Sequence, residues 1–314
     1  MKINFIKPII GLTIIVILIY FIDINKTIDL LININLIWFV LSIFIIFVAC
    51  LVVSRRYQKI LKYRKLKTKF YFQLKILYEG IAFTNLLPIG HIGIDLWRIK
   101  AIKNISDFSY LKILNTLLSD RISGFLGLVF ISTSISIIIY LFFPNITFLM
   151  PNLNIFTISI FDFYIILCTI ISLSSIISFF AFKVLGTTKI SNVKFFKFIK
   201  YFKDALNIKL IINSFILSLI NNILVMTAFW CCTHAVGIEL PYLLILGMGI
   251  AIIIPSVLPF AIAGFGPREA GVIIIFSLFD IGMEEAFLCS LLFGLIYIIH
   301  GLLGAIFFMI PDKN

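Results

Sequence analysis

The chain has 314 residues, of which 62% are hydrophobic and only 13% are charged, and its mean hydropathy is +1.17. A soluble domain of this length has no core large enough to bury so much apolar surface, so the composition excludes a soluble protein. It predicts an all-α, multi-pass membrane protein. The formal net charge of +12 does not indicate nucleic-acid binding, because the cations stand in short loops between apolar stretches and act as a topology signal.

Six apolar runs are suited to full membrane spans of roughly 20 residues. In chain order they are residues 8–22, 36–53, 113–143, 160–182, 210–236 and 286–310. The first run is short and follows two lysines, but no small-x-small cleavage site comes after it, so we favour an uncleaved anchor over a signal peptide. Two further apolar stretches, about 70–97 and 242–280, contain prolines. We expect all of these elements to form one transmembrane domain over residues 1–314.

The dipeptide Leu-Pro interrupts both proline-containing stretches. Pro88 and Pro259 are each followed five residues later by a glycine, Gly93 and Gly264, and Gly266 follows the second break. Proline ends helices and glycine permits tight turns, so each stretch is predicted to be a broken, re-entrant hairpin. The leucine, proline and glycine match at a constant offset of 171 residues, which favours an inverted repeat of the kind that forms transport sites. Two kinked full-length helices are the alternative.

Loop charge predicts the orientation of the chain. The loops at residues 54–69, 98–112 and 183–209 are rich in lysine and arginine, so the positive-inside rule assigns them to the cytoplasm. Both termini are then cytoplasmic, in a protein of the cell membrane. The segments assigned to the outside contain the acidic residues Asp23, Asp29, Glu239, Asp280, Glu284 and Glu285. The first hairpin enters from the cytoplasm and the second from outside, so the two point at each other.

Residues 189–209 have a pattern of their own. Lysines recur at every third position from 194 to 203, while phenylalanines and other apolar residues follow helical spacing on another face. This pattern predicts a basic amphipathic helix in the inner headgroup layer, attracted to anionic lipid. A solvated cytoplasmic connector is the alternative.

Metal and nucleotide chemistry finds no support in the sequence. The five cysteines are scattered through apolar runs without ligand spacing, so we expect neither a disulfide framework nor a zinc site. The chain has no Gly-rich phosphate loop and no Ser/His/Asp order, and its loops are too short to build a nucleotide-binding domain. We therefore expect no cofactor, no metal and no enzymatic activity. The cysteines are Cys50, Cys168, Cys231, Cys232 and Cys289.

Charged side chains inside the apolar stretches are the candidate functional residues, because each costs on the order of 3 kcal/mol or more at bilayer depth and tends to be paired and functional. Arg98 and Arg268 each follow a break, and a planar guanidinium is suited to binding a phosphate through two hydrogen bonds. We predict both as headgroup contacts. The neighbouring Asp95 and Glu269 would position the arginines or exchange protons during transport.

A purely structural role is the alternative for these charges. Asp120 and Arg121 stand together in one predicted helix and would pair with neighbouring charges, and Glu269 would pair with Arg98 or Arg268 to fix the hairpins together. His91 lies inside the first break and is kept as a candidate substrate contact.

Three motifs carry a family resemblance. They are Asn85…Pro88…Gly93-x-Asp95-x-x-Arg98, then Asp120-Arg121, and Leu258-Pro259-x4-Gly264-x-Gly266-x-Arg268-Glu269. In this order the motifs resemble the flippase-like family that includes the membrane region of lysylphosphatidylglycerol synthase, over nearly the whole chain. The resemblance implies a protein that moves lipids or lipid-linked headgroups between leaflets, with Asn85 among the substrate contacts.

The resemblance also limits the function. The sequence reaches Asn314 directly after the last predicted helix, so we expect a stand-alone membrane region without the aminoacyl-transfer domain of the synthase. The predicted substrate is an anionic phospholipid or a polyprenyl-phosphate-linked lipid. Two alternatives stay open. Some relatives are glycosyltransferase-like, which would make this chain a membrane-embedded transferase, and the chain would otherwise be a non-transporting partner of a lipid-modifying enzyme.

Overall fold

The computed structural model describes residues 20–86, 92–142, 207–257 and 265–309, together with residues 13, 16–18, 152–153, 158–159, 170 and 205. Every contact given below belongs to these residues. Most of the first predicted span, most of the span at 160–182 and nearly all of the basic helix at 189–209 lie outside them.

The part of the chain that the structure describes is helical apart from one short ladder. The helices are α1 (Ile24–Ile32), α2 (Leu36–Tyr63), α3 (Phe70–Leu86), α4 (Ile92–Ile105), α5 (Tyr110–Phe142), α6 (Ile208–Val236), α7 (Tyr242–Gly247), α8 (Gly249–Val257), α9 (Pro267–Ser277) and α10 (Met283–Met309). The ladder pairs β1 (Asn152–Leu153) antiparallel with β2 (Ile158–Ser159). Polar caps set several helix ends. Asn35 caps α2 by accepting from the amide of Ile37 at 3.1 Å, and Gly237 ends α6 with a left-handed φ of 88°.

Four of the described helices, α2, α5, α6 and α10, are long and apolar enough to cross a membrane. Their outer faces are apolar as well as exposed, with Ile37 79% and Ile216 67% accessible. Lipid tails are as apolar as leucine, so such side chains face a compatible solvent in a bilayer. The chain is therefore a helical membrane protein, and four of the six predicted spans are present in the described residues.

Helices α2 and α6 pack side by side in opposite directions. At one end the Asn35 amide donates to the Ala235 carbonyl at 2.8 Å. At the other end the Tyr63 hydroxyl donates to Asn207 Oδ1 at 3.3 Å. This antiparallel pair sets the two ends of the bundle.

The two ends of the bundle differ in charge. The end that we call basic holds residues 54–69 and 98–112, where Tyr57, Ile102 and Ile113 pack together. The opposite, acidic end holds α1 and the start of α10, where Lys26 Nζ pairs with Glu284 at 3.0 Å and with Glu285 at 3.2 Å. The hydrogen bonds that Lys26 donates to these two carboxylates raise its pKa above the ordinary value. The predicted division of basic from acidic segments thus agrees with the arrangement of the helices.

Each Leu-Pro stretch forms helices that pack against each other, α3 on α4 in the first stretch and α8 on α9 in the second. In the first, a Cβ at Gly80 would lie 3.1 Å from Ile94 Cα, and one at Gly93 would lie 3.0 Å from Thr84 Cα, so both glycines allow α3 and α4 to meet closely. In the second, a Cβ at Gly271 of α9 would lie 3.1 Å from Pro255 Cγ of α8. We call each packed pair, α3 with α4 and α8 with α9, a hairpin. The predicted break residues Pro88, Pro259 and Gly264 lie outside the described residues.

The arms of the second hairpin are short. Helix α9 has 11 residues, and α7 and α8 together cover Tyr242–Val257 with an interruption at Met248. At 1.5 Å per residue α9 rises about 16 Å, roughly half the thickness of a hydrocarbon core. Helix α9 alone is therefore too short to cross a hydrocarbon core.

Two predicted loop boundaries are wrong. Helix α2 continues to Tyr63, so ten residues of the predicted loop at 54–69 are helical. Helix α4 continues to Ile105 and α5 begins at Tyr110, so little of the predicted loop at 98–112 remains outside helices. The physical reason is the same in both places: neither segment contains glycine or proline, and lysine and arginine are good helix formers, so charge did not end the helices.

The main apolar core lies where α6, α9 and α10 meet. Phe229 packs edge-to-face on Phe276, with ring centroids 6.1 Å apart, and on Phe293, with centroids 5.3 Å apart. The described cysteines, including Cys232 and Cys289, are free and buried, as packing residues would be.

Candidate functional site

A cavity of about 530 Å³ is bordered by the spans and by both hairpins. Most of its wall is apolar, with side chains such as Ile46, Ile81 and Val225. Its polar wall contains four arginines and an aspartate, together with Asn85, Asn221 and Asn222. A largely apolar cavity with a few convergent polar groups is typical of a ligand-binding site. The charged lining residues are Arg56, Arg98, Asp120, Arg121 and Arg268.

Asp120 of α5 is shared by two buried arginines. Its Oδ1 accepts from Arg56 Nε of α2 at 2.7 Å, and its Oδ2 accepts from Arg98 Nη1 of α4 at 3.3 Å. The aspartate and Arg98 are each 2% exposed, and Arg56 is 6% exposed. Arg56 also donates to the Ser218 hydroxyl of α6 at 3.2 Å. The carboxylate thus joins α5 to α2 and α4, and Arg56 extends the connection to α6, while one negative charge serves two arginines.

Arg121 and Asp95 form a second connection between α4 and α5. Arg121 Nε lies 3.1 Å from Asp95 Oδ2, and Arg121 Nη2 lies 2.9 Å from Asp95 Oδ1. The pairing follows from helix geometry, because Asp95 and Arg98 are three residues apart and share a face of α4. Asp120 and Arg121 are consecutive residues of α5, so their side chains project about 100° apart. Asp120 therefore contacts Arg56 and Arg98, whereas Arg121 contacts Asp95. We call Arg56, Asp95, Arg98, Asp120 and Arg121 the Arg98 cluster.

Arg98 itself is only partly satisfied. Its guanidinium lies over the Tyr57 ring, with Cζ 4.4 Å from the centroid, and its Nη1 is the atom that donates to Asp120. Nε and Nη2 are buried, and neither has a hydrogen-bond partner among the described residues. These two groups lie on one edge of the guanidinium and form the fork that binds a carboxylate or phosphate through two parallel hydrogen bonds.

Arg268 of α9 has the same two donors, and both have hydrogen-bond partners. Its Nη2 donates to Glu269 Oε1 at 2.6 Å, and its Nε donates to the Ser290 hydroxyl of α10 at 3.1 Å. Ser290 in turn donates to the same Glu269 oxygen at 3.1 Å, and Glu269 Oε2 accepts from the Gly266 amide at 2.6 Å. Gly266 adopts a φ of 98°, which glycine alone tolerates easily, just before Pro267 starts the helix. We call Gly266, Arg268, Glu269 and Ser290 the Arg268 cluster.

The two clusters lie toward opposite ends of the bundle. Arg56 is seven residues before the end of α2 at the basic end, and Ser290 is seven residues after the start of α10 at the acidic end. Each is therefore about 10 Å from its helix end. Because Arg98 and Arg268 both line the cavity, the cavity extends between the two clusters.

The remaining predicted site residues have different surroundings. Asn85 lines the cavity near the end of α3, and its Nδ2 donates to the Tyr297 carbonyl of α10 at 3.1 Å. Gly93, predicted as a break residue, lies in the first turn of α4, where its missing side chain allows α3 and α4 to meet closely. His91 lies outside the described residues. The structure therefore brings together Asp95, Arg98, Asp120 and Arg121, and separately Arg268 and Glu269.

Sequence reasoning missed two residues of these clusters, Arg56 and Ser290, and the Ser218 hydroxyl that Arg56 contacts. Arg56 was counted as a loop cation, although it follows the buried Ala49 by seven residues on one helix with no glycine or proline between them. Ser218 and Ser290 are hydroxyls inside apolar helices, and one sequence does not distinguish them from packing residues. The helical repeat was the only signal available, and it would have found Arg56 alone.

These observations define a polytopic membrane protein with two hairpins around an internal cavity that has a buried charged cluster toward each end. The chain belongs to the family described as lysylphosphatidylglycerol synthase TM region, which matches residues 8–304. A more specific similarity is to the UPF0104 membrane protein PH1989 of Pyrococcus horikoshii, which is 29% identical over 115 residues. That match covers 36% of this chain and 34% of the relative, so it spans about a third of each protein.

Proposed function

We propose that this protein moves an anionic lipid between the two leaflets of the membrane through the cavity between its hairpins. The observation that carries the proposal is the composition of the cavity wall, where a long apolar lining adjoins buried arginines. An amphiphile needs both: apolar surface for its chain and a cationic contact for its headgroup. Family membership supports the same proposal, because the family is named for the membrane region of an enzyme whose product is a lipid.

The hairpins supply a route for the headgroup. In transporters, discontinuous helices with inverted topology form sites near the midplane, and one repeat moves against the other. Here the arms α3–α4 and α8–α9 contribute Arg98 and Arg268, and each hairpin brings its cluster toward a different end of the bundle. We assign the basic end to the cytoplasm by the positive-inside rule. A headgroup would then meet the Arg98 cluster from the cytoplasmic leaflet.

A cavity-blocking substitution tests the proposal in proteoliposomes. Lipid transfer is measured with phosphatidylglycerol that is labelled on its acyl chain and bleached from outside by an impermeant reductant. Val225→Trp places a large side chain in the cavity wall, so we expect the rate of transfer to fall to that of protein-free liposomes. Ile216→Trp places the same side chain on the exposed face of the same helix and should retain the wild-type rate.

The controls separate a blocked cavity from a damaged protein. Both variants are first compared with wild type by thermal unfolding in detergent, and only folded variants are reconstituted. A wild-type rate equal to that of protein-free liposomes contradicts the proposal. A folded Val225→Trp variant that transfers lipid as fast as wild type contradicts the route through the cavity.

A further inference from the structure

Three of the arginines that line the cavity differ in the partners of the same two donors, Nε and Nη2. Arg121 places its Nε and Nη2 on both oxygens of Asp95, and Arg268 places the same two atoms on Ser290 and Glu269. Arg98 alone of the three has Nε and Nη2 without partners among the described residues, although it is 2% exposed. A buried donor without a partner is unfavourable, and it is rare in native structures unless a ligand or ion satisfies it.

The charge of the cavity points to the same place. Four arginines line the cavity, and three carboxylates, Asp95, Asp120 and Glu269, pair with them. Among the described residues, one positive charge therefore remains. It belongs to the Arg98 cluster, because Glu269 neutralises Arg268 and Asp95 neutralises Arg121, whereas Asp120 serves both Arg56 and Arg98. The sequence between α3 and α4, residues 87–91, and between α8 and Phe265, residues 258–264, contains no Asp, Glu, Lys or Arg.

We infer that Arg98 binds the phosphodiester monoanion of a lipid headgroup, and that this site deepens, and rests on, the lipid translocation proposed above. The two non-bridging oxygens of a phosphodiester match the two donors of the fork, and its single negative charge neutralises the cluster. A phosphate monoester carries about −1.5 to −2 and would leave excess negative charge. Arg268 is then a structural residue that fixes the start of α9 to α10, and Arg98 is the residue that determines specificity.

A second polar atom in the same cavity lacks a partner. Asn221 lines the cavity, and its Oδ1 is buried without a hydrogen bond among the described residues. A glycerol or sugar hydroxyl is a suitable donor for an amide oxygen. Phosphatidylglycerol and a polyprenyl-phosphate hexose both combine a hydroxyl-bearing headgroup with a phosphodiester monoanion. Both therefore present the recognised chemistry, and the experiment distinguishes them.

The test is a binding titration of the purified full-length chain by native mass spectrometry. The probes are phosphatidylglycerol, a polyprenyl-phosphate hexose, polyprenyl monophosphate and diacylglycerol, which carries no phosphate, each at several concentrations. We expect at least one of the two phosphodiester monoanions to bind about tenfold to hundredfold more tightly than diacylglycerol and more tightly than the monophosphate. The tighter of the two identifies the source of the headgroup. Affinities for both phosphodiesters no higher than that for diacylglycerol, or tighter binding of the monophosphate than of either phosphodiester, would overturn the inference.

A charge-conserving variant tests the fork itself. Arg98→Lys keeps the positive charge beside Asp120 but removes the paired donors, so it should weaken binding of the preferred phosphodiester about tenfold or more and leave diacylglycerol binding unchanged. Arg55→Lys makes the same exchange at an exposed neighbour of the cluster and should bind as wild type does. A folded Arg98→Lys variant with wild-type affinity overturns the inference.

Two features keep the outcome interpretable. The comparison among lipids needs only the wild-type protein, so it decides the question even where Arg98→Lys does not fold. Binding is also measured without transport. Selective binding in a protein that transfers no lipid would contradict the proposed function and leave the binding site standing, whereas transfer without selective binding would do the reverse.

Discussion

The two charged clusters at opposite ends of the cavity are built from the same parts but are not equivalent. Each has a buried arginine that stacks on aromatic rings, Arg98 on Tyr57 and Arg268 on Phe265 and Phe293. Around Arg268 the hydrogen bonds close into a ring with Glu269 and Ser290. Around Arg98 one aspartate is divided between two arginines, and two donors remain without partners.

This difference separates a structural role from a binding role. A closed, neutral network in a low-dielectric interior fixes geometry and has little to gain from a ligand. An open network with excess charge gains hydrogen bonds and neutralisation when an anion enters. A buried arginine in each cluster therefore does not imply two equal headgroup sites. In the function that we propose, the Arg268 cluster holds the second hairpin in place and the Arg98 cluster receives the lipid headgroup.

The largest expected effect follows from removing the shared carboxylate. Asp120→Asn leaves the charges of Arg56 and Arg98 without a counter-ion in a buried place, and breaking a buried pair from one side costs about 3–5 kcal/mol. We expect the free energy of unfolding, measured by titration with sodium dodecyl sulfate in mixed micelles, to fall by that amount. Asp107→Asn removes an exposed carboxylate from the neighbouring loop and should leave stability unchanged. Equal stabilities of Asp120→Asn and wild type would show that the cluster is not paired as described.

A smaller effect is expected in the Arg268 cluster. Ser290→Ala removes one acceptor from Arg268 and one donor from Glu269 but leaves their direct ion pair, so we expect a loss of about 1–3 kcal/mol in the same titration. Ser277→Ala, at an exposed position of α9, serves as the control. Affinity for the phosphodiester lipid should stay at the wild-type value. A loss of lipid affinity in a stable Ser290→Ala protein would mean that both clusters bind headgroups. The two clusters would then not differ in role.

Much of the fold could be predicted from the sequence because membrane helices follow simple rules. Apolar length located α2, α5, α6 and α10, and the Leu-Pro breaks located both hairpins. The predicted loop boundaries were wrong where loop charge and helix propensity favour different structures. Positive charge suggested loops at 54–69 and 98–112, but helix propensity continued the helices through Arg56 and Arg98, and hydropathy does not report on that competition.

The site could be predicted only as a set of residue types. Charge in an apolar stretch selected Asp95, Arg98, Asp120, Arg121, Arg268 and Glu269 as candidates, and the structure places all six in ion pairs. Their partners depended on helix packing that one sequence does not contain. Arg98 and Arg268 look alike in sequence, each following a break and standing near an acid. Only the three-dimensional arrangement distinguishes the Glu269–Ser290 network of Arg268 from the half-satisfied Arg98.

The most direct test of this account measures leaflet transfer of the phosphodiester lipid in proteoliposomes containing wild type, Arg98→Lys or Arg55→Lys at equal protein density. If the Arg98 fork receives the headgroup, Arg98→Lys lowers the initial rate about tenfold or more toward the protein-free background. Arg55→Lys should transfer lipid at the wild-type rate. A folded Arg98→Lys protein that transfers the lipid as fast as wild type would contradict the central claim that the open fork of Arg98 receives the headgroup.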